Sequence, residues 1–152
     1  MYVLGRSAVI LVALTCLTLV VLTTVIHYEM LGGLTAKLPG LRVPPRAKLI
    51  AVILSAFLGH AAEIALYGLA LFVLIRYSDV GTLSGAGGTS FMNCMYFSAE
   101  TYTSLGFGDL VPLGPVRLIA GVEALNGLLL IGWSASYVYI AMERFWRGKS
   151  EG

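Results

Sequence analysis

Charge is scarce in this chain: Asp, Glu, Lys and Arg make up 12% of its 152 residues, about half the share found in an average soluble domain. Ten basic residues against eight acidic ones leave a formal net charge of +2, too small and too scattered for a nucleic-acid-binding surface. Cysteine is equally sparse. Cys16 and Cys94 lie far apart inside apolar stretches, which excludes a disulfide framework and a metal-binding cysteine spacing. No apolar segment carries Arg at every third position, so voltage sensing of the usual kind is not expected. What the chain has instead is apolar bulk: 58% hydrophobic residues and a mean hydropathy of +0.87. That is the composition of a membrane protein.

A helix needs roughly 20 apolar residues to cross a hydrocarbon core about 30 Å thick. The chain therefore has room for a few passes and none for a soluble domain. Residues 7–26 carry no charge, follow Arg6 and precede His27, Tyr28 and Glu29. They read as a retained first transmembrane helix, because the run is long for a signal peptide and no small-residue cleavage site follows it. Residues 27–48 read as a polar linker, broken by Gly32, Gly33, Pro39, Gly40, Pro44 and Pro45. A second apolar run occupies 49–76, interrupted by His60 and Glu63, and a third occupies 116–142, interrupted by Glu123 and Asn126. Each is long enough to span with some tilt.

Basic residues collect in short cytoplasmic loops. Lys37, Arg42, Arg46 and Lys48 lie in the first linker and Arg144, Arg147 and Lys149 near the C-terminus, while residues 77–116 have none. The expected topology places the linker and the short tail at 143–152 in the cytoplasm, residues 77–116 outside, and the N-terminus outside. A tail of ten residues is too short for a ligand-binding gating domain.

The region between the second and third runs is the most informative. Residues 77–88 are Gly-rich and polar, a loop by turn chemistry. Thr89 and Ser90 can cap a helix over 91–103. Thirteen residues give about 20 Å, too short to cross, so the following Gly-containing segment must return to the side it came from. Irregular backbone at membrane depth is tolerated only inside protein or along a watery cavity.

The residues Thr103, Ser104, Leu105, Gly106, Phe107, Gly108 and Asp109 closely resemble the selectivity filter of potassium channels, whose usual form is Thr, Val, Gly, Tyr, Gly, Asp. The resemblance to small bacterial potassium channels covers roughly residues 91–142. Residues 123–127 (Glu, Ala, Leu, Asn, Gly) with Gly132, Trp133 and Ser134 are similar to a bacterial group with an extra N-terminal helix. The fold this implies is an all-α membrane protein with three transmembrane helices plus a re-entrant pore helix and filter loop per chain, assembled as a homotetramer around one pore. The implied divisions are an N-terminal helix and linker over 1–48, a pore domain over 49–142 with its filter at 104–109, and the tail. The resemblance also implies the inner membrane of a cell as location, membrane lipids as surroundings, and neither a nucleic-acid nor a soluble partner.

A dehydrated cation needs rings of oxygens in place of its water shell, and backbone carbonyls of successive filter residues supply them. By resemblance, Ser104, Leu105, Gly106 and Phe107 hold potassium as the permeant ion, with no cofactor and no enzymatic reaction. Gly106 and Gly108 permit the positive φ that such a backbone needs. Tyr96 and Phe97 match an aromatic pair that braces the filter, and Thr103 precedes it. Glu100 and Asp109 stand where some members pair two carboxyls behind the filter; sharing a proton, they would set its rigidity. Ser104, Leu105 and Phe107 depart from the usual Thr, Val and Tyr, which leaves a weakly selective sodium and potassium conductor as a second reading. Gly127 falls on the family's hinge glycine, although small residues also permit close packing.

On the third helix, Leu128, Ile131 and Ala135 share a face and are candidate cavity lining, with Tyr139 one turn further. Trp133, Tyr137, Phe145 and Trp146 read as lipid-facing or interfacial anchors. His60, Glu63, Glu123 and Asn126 form an expected intramembrane polar network, since ionisable groups in a membrane usually face the bundle interior. They serve either to fix helix register or as a proton-sensitive latch coupled to Gly127. From another class, His60, Glu63 and Glu123 could hold a metal in a membrane enzyme, but no second His, no obvious nucleophile and no catalytic spacing accompanies them. A helical scaffold whose Gly-rich segment is only a turn would leave the half-length helix before Gly106 unexplained.

Overall fold

The computed structural model describes residues 5–147, with side chains up to Arg144. Three of its helices are long and apolar enough to cross a membrane, and the protein is a membrane protein. Helix α1 runs from Arg6–Lys37, α2 from Pro45–Tyr77 and α4 from Arg117–Arg147. At 31 to 33 residues and 1.5 Å per residue, each is about 46–50 Å long and exceeds the hydrocarbon thickness.

The expected polar linker over 27–48 is corrected. α1 continues through His27 and both glycines to Lys37, a 3₁₀ turn covers Leu38–Gly40, and Pro44 and Pro45 open α2. Gly32 and Gly33 each cost a helix about 1 kcal/mol relative to Ala, and a Cβ at either would meet nothing. Partners on other helices hold His27 and Thr35 on either side of the two glycines and keep the chain helical through them. Pro45 fits the first turn of α2 because that N–H has no helical acceptor. α4 extends past residue 142, so residues 143–147 of the expected tail are helix, and residues 148–152 of it lie outside the described residues.

Between α2 and α4 stands the short helix α3, Phe91–Tyr102, packed against both. Ser90 caps it by accepting from the Asn93 N–H at 3.1 Å, and the Asn93 amide closes the preceding loop on the Gly88 carbonyl at 2.6 Å. The expected loop over 77–88 contains a strand: β1, Thr82–Gly85, pairs antiparallel with β2, Leu110–Leu113, with Thr82 opposite Leu113. This pair ties the two ends of the region between α2 and α4 together. The core lies where α1, α2, α3 and α4 converge, around Val12, Cys16, Tyr67, Leu71, Cys94, Phe97, Tyr102 and Ile119. α1 turns Val12, Cys16, Leu19, Thr23, His27 and Leu31 inward at helical spacing, while Ile10, Leu14, Leu17, Val21 and Val25 stay exposed, as lipid requires.

Candidate functional site

The segment after α3 takes its shape from an alternation of backbone hand. Ser104, Gly106 and Gly108 have φ of 57°, 55° and 80°, whereas Leu105 and Phe107 do not have positive φ. Glycine takes the left-handed region freely; Ser104 enters it at a cost of about 1–2 kcal/mol. Glu100 anchors the turn. Its carbonyl accepts from the Leu105 N–H at 2.8 Å and the Gly106 N–H at 3.3 Å, and its side-chain Oε2 accepts from the Phe107 N–H at 3.1 Å. Thr103 turns its hydroxyl back to the Ala99 carbonyl at 2.7 Å, ending α3 rather than lining the segment.

Tyr96 braces the same segment from its outer side. Its ring stacks on Phe107 with centroids 6.4 Å apart and planes 3° from parallel, and its hydroxyl donates to Asp109 Oδ1 at 3.3 Å. Phe97 is not in the brace: it is buried in the core. Glu100 and Asp109 make no hydrogen bond to each other; the Glu100 carboxylate accepts from Phe107 N–H and the Asp109 carboxylate from Tyr96 O–H. The direct carboxyl pair is therefore corrected. Within one chain, Leu105 and Phe107 are 60% and 65% exposed, and a Cβ at Gly106 or Gly108 would meet nothing. The segment's shape is held from one side only.

On α4, Leu128, Ala135 and Tyr139 are exposed along one stripe with Leu125 and Gly132. Ile131 stands off that stripe: it is partly buried and packs against the core. Gly127 is buried against α3, and a Cβ there would collide with the Tyr102 carbonyl and lie 2.9 Å from its ring. Close contact accounts for this glycine.

The polar groups expected as one network divide into separate sets. His60 Nδ1 lies 3.2 Å from Glu63 Oε2 and 2.9 Å from the Tyr102 hydroxyl, which itself donates to Glu63. His27 adds a bond to Glu63 Oε1 at 2.9 Å and, through Nε2, one to Ser134 Oγ at 3.1 Å. Glu123 instead meets Ser98, whose hydroxyl also reaches the Ile64 carbonyl at 2.8 Å. The Asn126 amide donates to Thr23 Oγ1 at 2.8 Å and the Tyr67 hydroxyl at 3.2 Å. The metal trio of His60, Glu63 and Glu123 is thus not brought together; His27 stands in the place expected for Glu123. Every buried polar side-chain atom among the described residues has a hydrogen-bond partner, as hydrocarbon surroundings demand.

His27, Tyr102, Ser98, Thr23 and Tyr67 escaped sequence reading. The signal was the spacing of Cys16, Thr23 and His27 on one face, which becomes visible once α1 is carried past residue 26. Of the expected anchors, Trp133 packs its ring 5.4 Å from His27 and 6.4 Å from Tyr28, and the Tyr137 hydroxyl meets Thr35 Oγ1 at 3.0 Å. They join α4 to α1. The side chains of Phe145 and Trp146 lie outside the described residues.

A family profile described as an ion channel matches residues 48–144, more than half of the chain. Over 76 residues, 49% of this chain, the sequence is 33% identical to the inward rectifier potassium channel Kirbac3.1 of Paramagnetospirillum magnetotacticum. The chain spans about a quarter of that relative, 26% of its length. No solved structure matches the chain.

Proposed function

The chain belongs to the ion channel family, and from that premise we propose that it forms a homotetrameric, passive cation pore selective for potassium. The observation that carries this reading is the alternation of positive φ at Ser104, Gly106 and Gly108. Reversing backbone hand at every second residue turns successive carbonyls toward one side, so Ser104, Leu105, Gly106 and Phe107 offer a ladder of oxygens. One chain supplies one ladder, and a cation stripped of water needs oxygens all around it. Four copies about one axis close the rings, with the Ser104 hydroxyl adding the innermost one. Their assembly also covers the exposed Leu105 and Phe107 and turns the α4 stripe toward the pore axis.

In this reading α3 is the re-entrant pore helix, and its C-terminal end, negative by the helix dipole, faces a cavity lined by Leu128, Ala135 and Tyr139. Glu100 and Tyr96 hold the filter from behind. The ends of α1 and α4 bearing Lys37 and Arg144, with Arg42, Arg46 and Lys48, lie on the cytoplasmic side of a cell's inner membrane. The filter mouth and the N-terminus lie outside. The name of the Kirbac relative supports potassium as the ion.

A specific observation favours a second reading, a weakly selective sodium and potassium conductor. Phe107 has no hydroxyl, so its side chain is tied to α3 by a ring stack, a softer restraint than a hydrogen bond. Purified protein in liposomes decides between the readings. Potassium flux blocked by barium, with a bi-ionic reversal potential strongly favouring potassium, is the expected result; equal permeation selects the second reading. No flux of either ion across several pH values overturns both.

A further inference from the structure

Where α1, α2 and α3 meet, two imidazoles and a carboxylate share one small space. His27 and His60 each turn Nδ1 toward Glu63, one to each carboxylate oxygen, and the ligand-capable atoms of all three lie within 4.8 Å of one another. His27 and Glu63 are fully buried, and among the described residues the only ion-pairing partners of Glu63 are these two histidines. A carboxylate buried inside the membrane span is an arrangement that hydrocarbon penalises and a bound cation relieves.

We propose that His27, His60 and Glu63 form a binding site for a divalent transition-metal ion of the zinc class, clamping α1 to α2 beside the C-terminal end of α3. Imidazole nitrogen with one carboxylate oxygen suits such borderline ions, whereas magnesium and calcium require oxygen ligands. Zinc bonds of about 2.0–2.1 Å in a tetrahedron set ligand atoms about 3.3 Å apart, a distance that modest side-chain rotations reach from the observed cluster. Ser134 Oγ on His27 Nε2 supplies the outer partner that orients a ligating imidazole. His60, 18% exposed, gives the ion a way in. The metal takes the face of His60 Nδ1 and Glu63 Oε2 that the Tyr102 hydroxyl otherwise holds. Tyr102 ends α3 two residues before Ser104, so occupancy changes the support of the filter. That consequence rests on the channel reading; the site itself does not.

The test uses untagged full-length protein in detergent, stripped with chelator and titrated with Co²⁺, whose tetrahedral complexes absorb visibly. Because the chain has two histidines, histidine ligation has one possible origin. One Co²⁺ per chain is expected, displaced by Zn²⁺, with affinity falling at least tenfold in His27→Ala, His60→Ala and Glu63→Gln. Tyr102→Phe, which keeps all three ligands, retains the stoichiometry. Absence of binding at one ion per chain, or histidine variants that bind as the wild type does, overturns the proposal. Should a histidine variant not fold, carbethoxylation of the wild type decides: Zn²⁺ shields His60 from the reagent, and equal labelling with and without Zn²⁺ overturns the site. All of these readouts are independent of flux, so failure of the site and failure of the channel reading are separate results.

Discussion

Gly127 meets the backbone of Tyr102 with no room for a side chain between α4 and the end of α3. The contact joins the helix that lines the proposed cavity to the residue that both precedes the filter and reaches Glu63 and His60. A methyl group at Gly127 must push against backbone, which yields less readily than a side chain. Gly127→Ala is expected to destabilise the protein by about 1–3 kcal/mol, the usual cost of overpacking, and to lower flux. Gly132→Ala, where the added Cβ meets nothing in the chain, is expected to keep or slightly raise the thermal unfolding midpoint in detergent, since Ala is favoured over Gly inside a helix by about 1 kcal/mol. Equal midpoints for the two variants would remove the contact as the reason for Gly127.

At Gly106 the constraint is conformational. Its φ of 55° disfavours a side chain, yet a Cβ would have nothing to strike. Gly106→Ala therefore perturbs the filter by about 1–2 kcal/mol of backbone strain while the protomer core stays intact. The expected outcome is a folded, helical protein with potassium flux reduced at least tenfold, measured by liposome flux alongside circular dichroism. Retained flux would show that the carbonyl ladder does not need this backbone hand.

Glu100 separates a hydrogen-bonding role from a charge role. Its Oε2 accepts from the Phe107 N–H, and a Gln carbonyl can do the same. Glu100→Gln is expected to conduct with near wild-type kinetics. Glu100→Ala leaves a part-buried N–H without its acceptor, at about 1–3 kcal/mol, and is expected to conduct but to inactivate faster in bilayer recordings. Fast inactivation in Glu100→Gln would instead assign the role to the carboxylate charge.

The three apolar runs and the short helix before Gly106 were legible because lipid permits few ways to place a backbone, so length and charge alone restrict the fold. The end of α1 was not, since Gly32 and Gly33 are turn signals by themselves while the partners of His27 and Thr35 on other helices keep the chain helical. The β1–β2 pair left no local trace: two four-residue strands, separated by all of α3, find each other only in the fold. Glu100 and Asp109 carry the spacing of a carboxyl pair, but spacing does not reveal competing donors, and Phe107 N–H and Tyr96 O–H each took one. Tyr102 reads as an ordinary aromatic in α3; its reach to Glu63 depends on α2 lying alongside.

The face of α4 that lines the conduction path is decided by cysteine accessibility. Leu128, Ala135 and Tyr139 are exposed along one stripe, whereas Ile131 packs on the core. The native Cys16 and Cys94 are both free and buried, so they give a quiet background for thiol reagents. A positively charged methanethiosulfonate applied from the cytoplasmic side is expected to block flux through Leu128→Cys and Ala135→Cys channels and to spare Ile131→Cys. A permanent charge placed in a cation pathway of low dielectric repels the permeant ion, whereas a thiol partly buried against the core is shielded from the reagent. Block of Ile131→Cys with sparing of Leu128→Cys would mean that α4 is rotated about its axis in the open assembly, and would place the cavity on the opposite side of the helix.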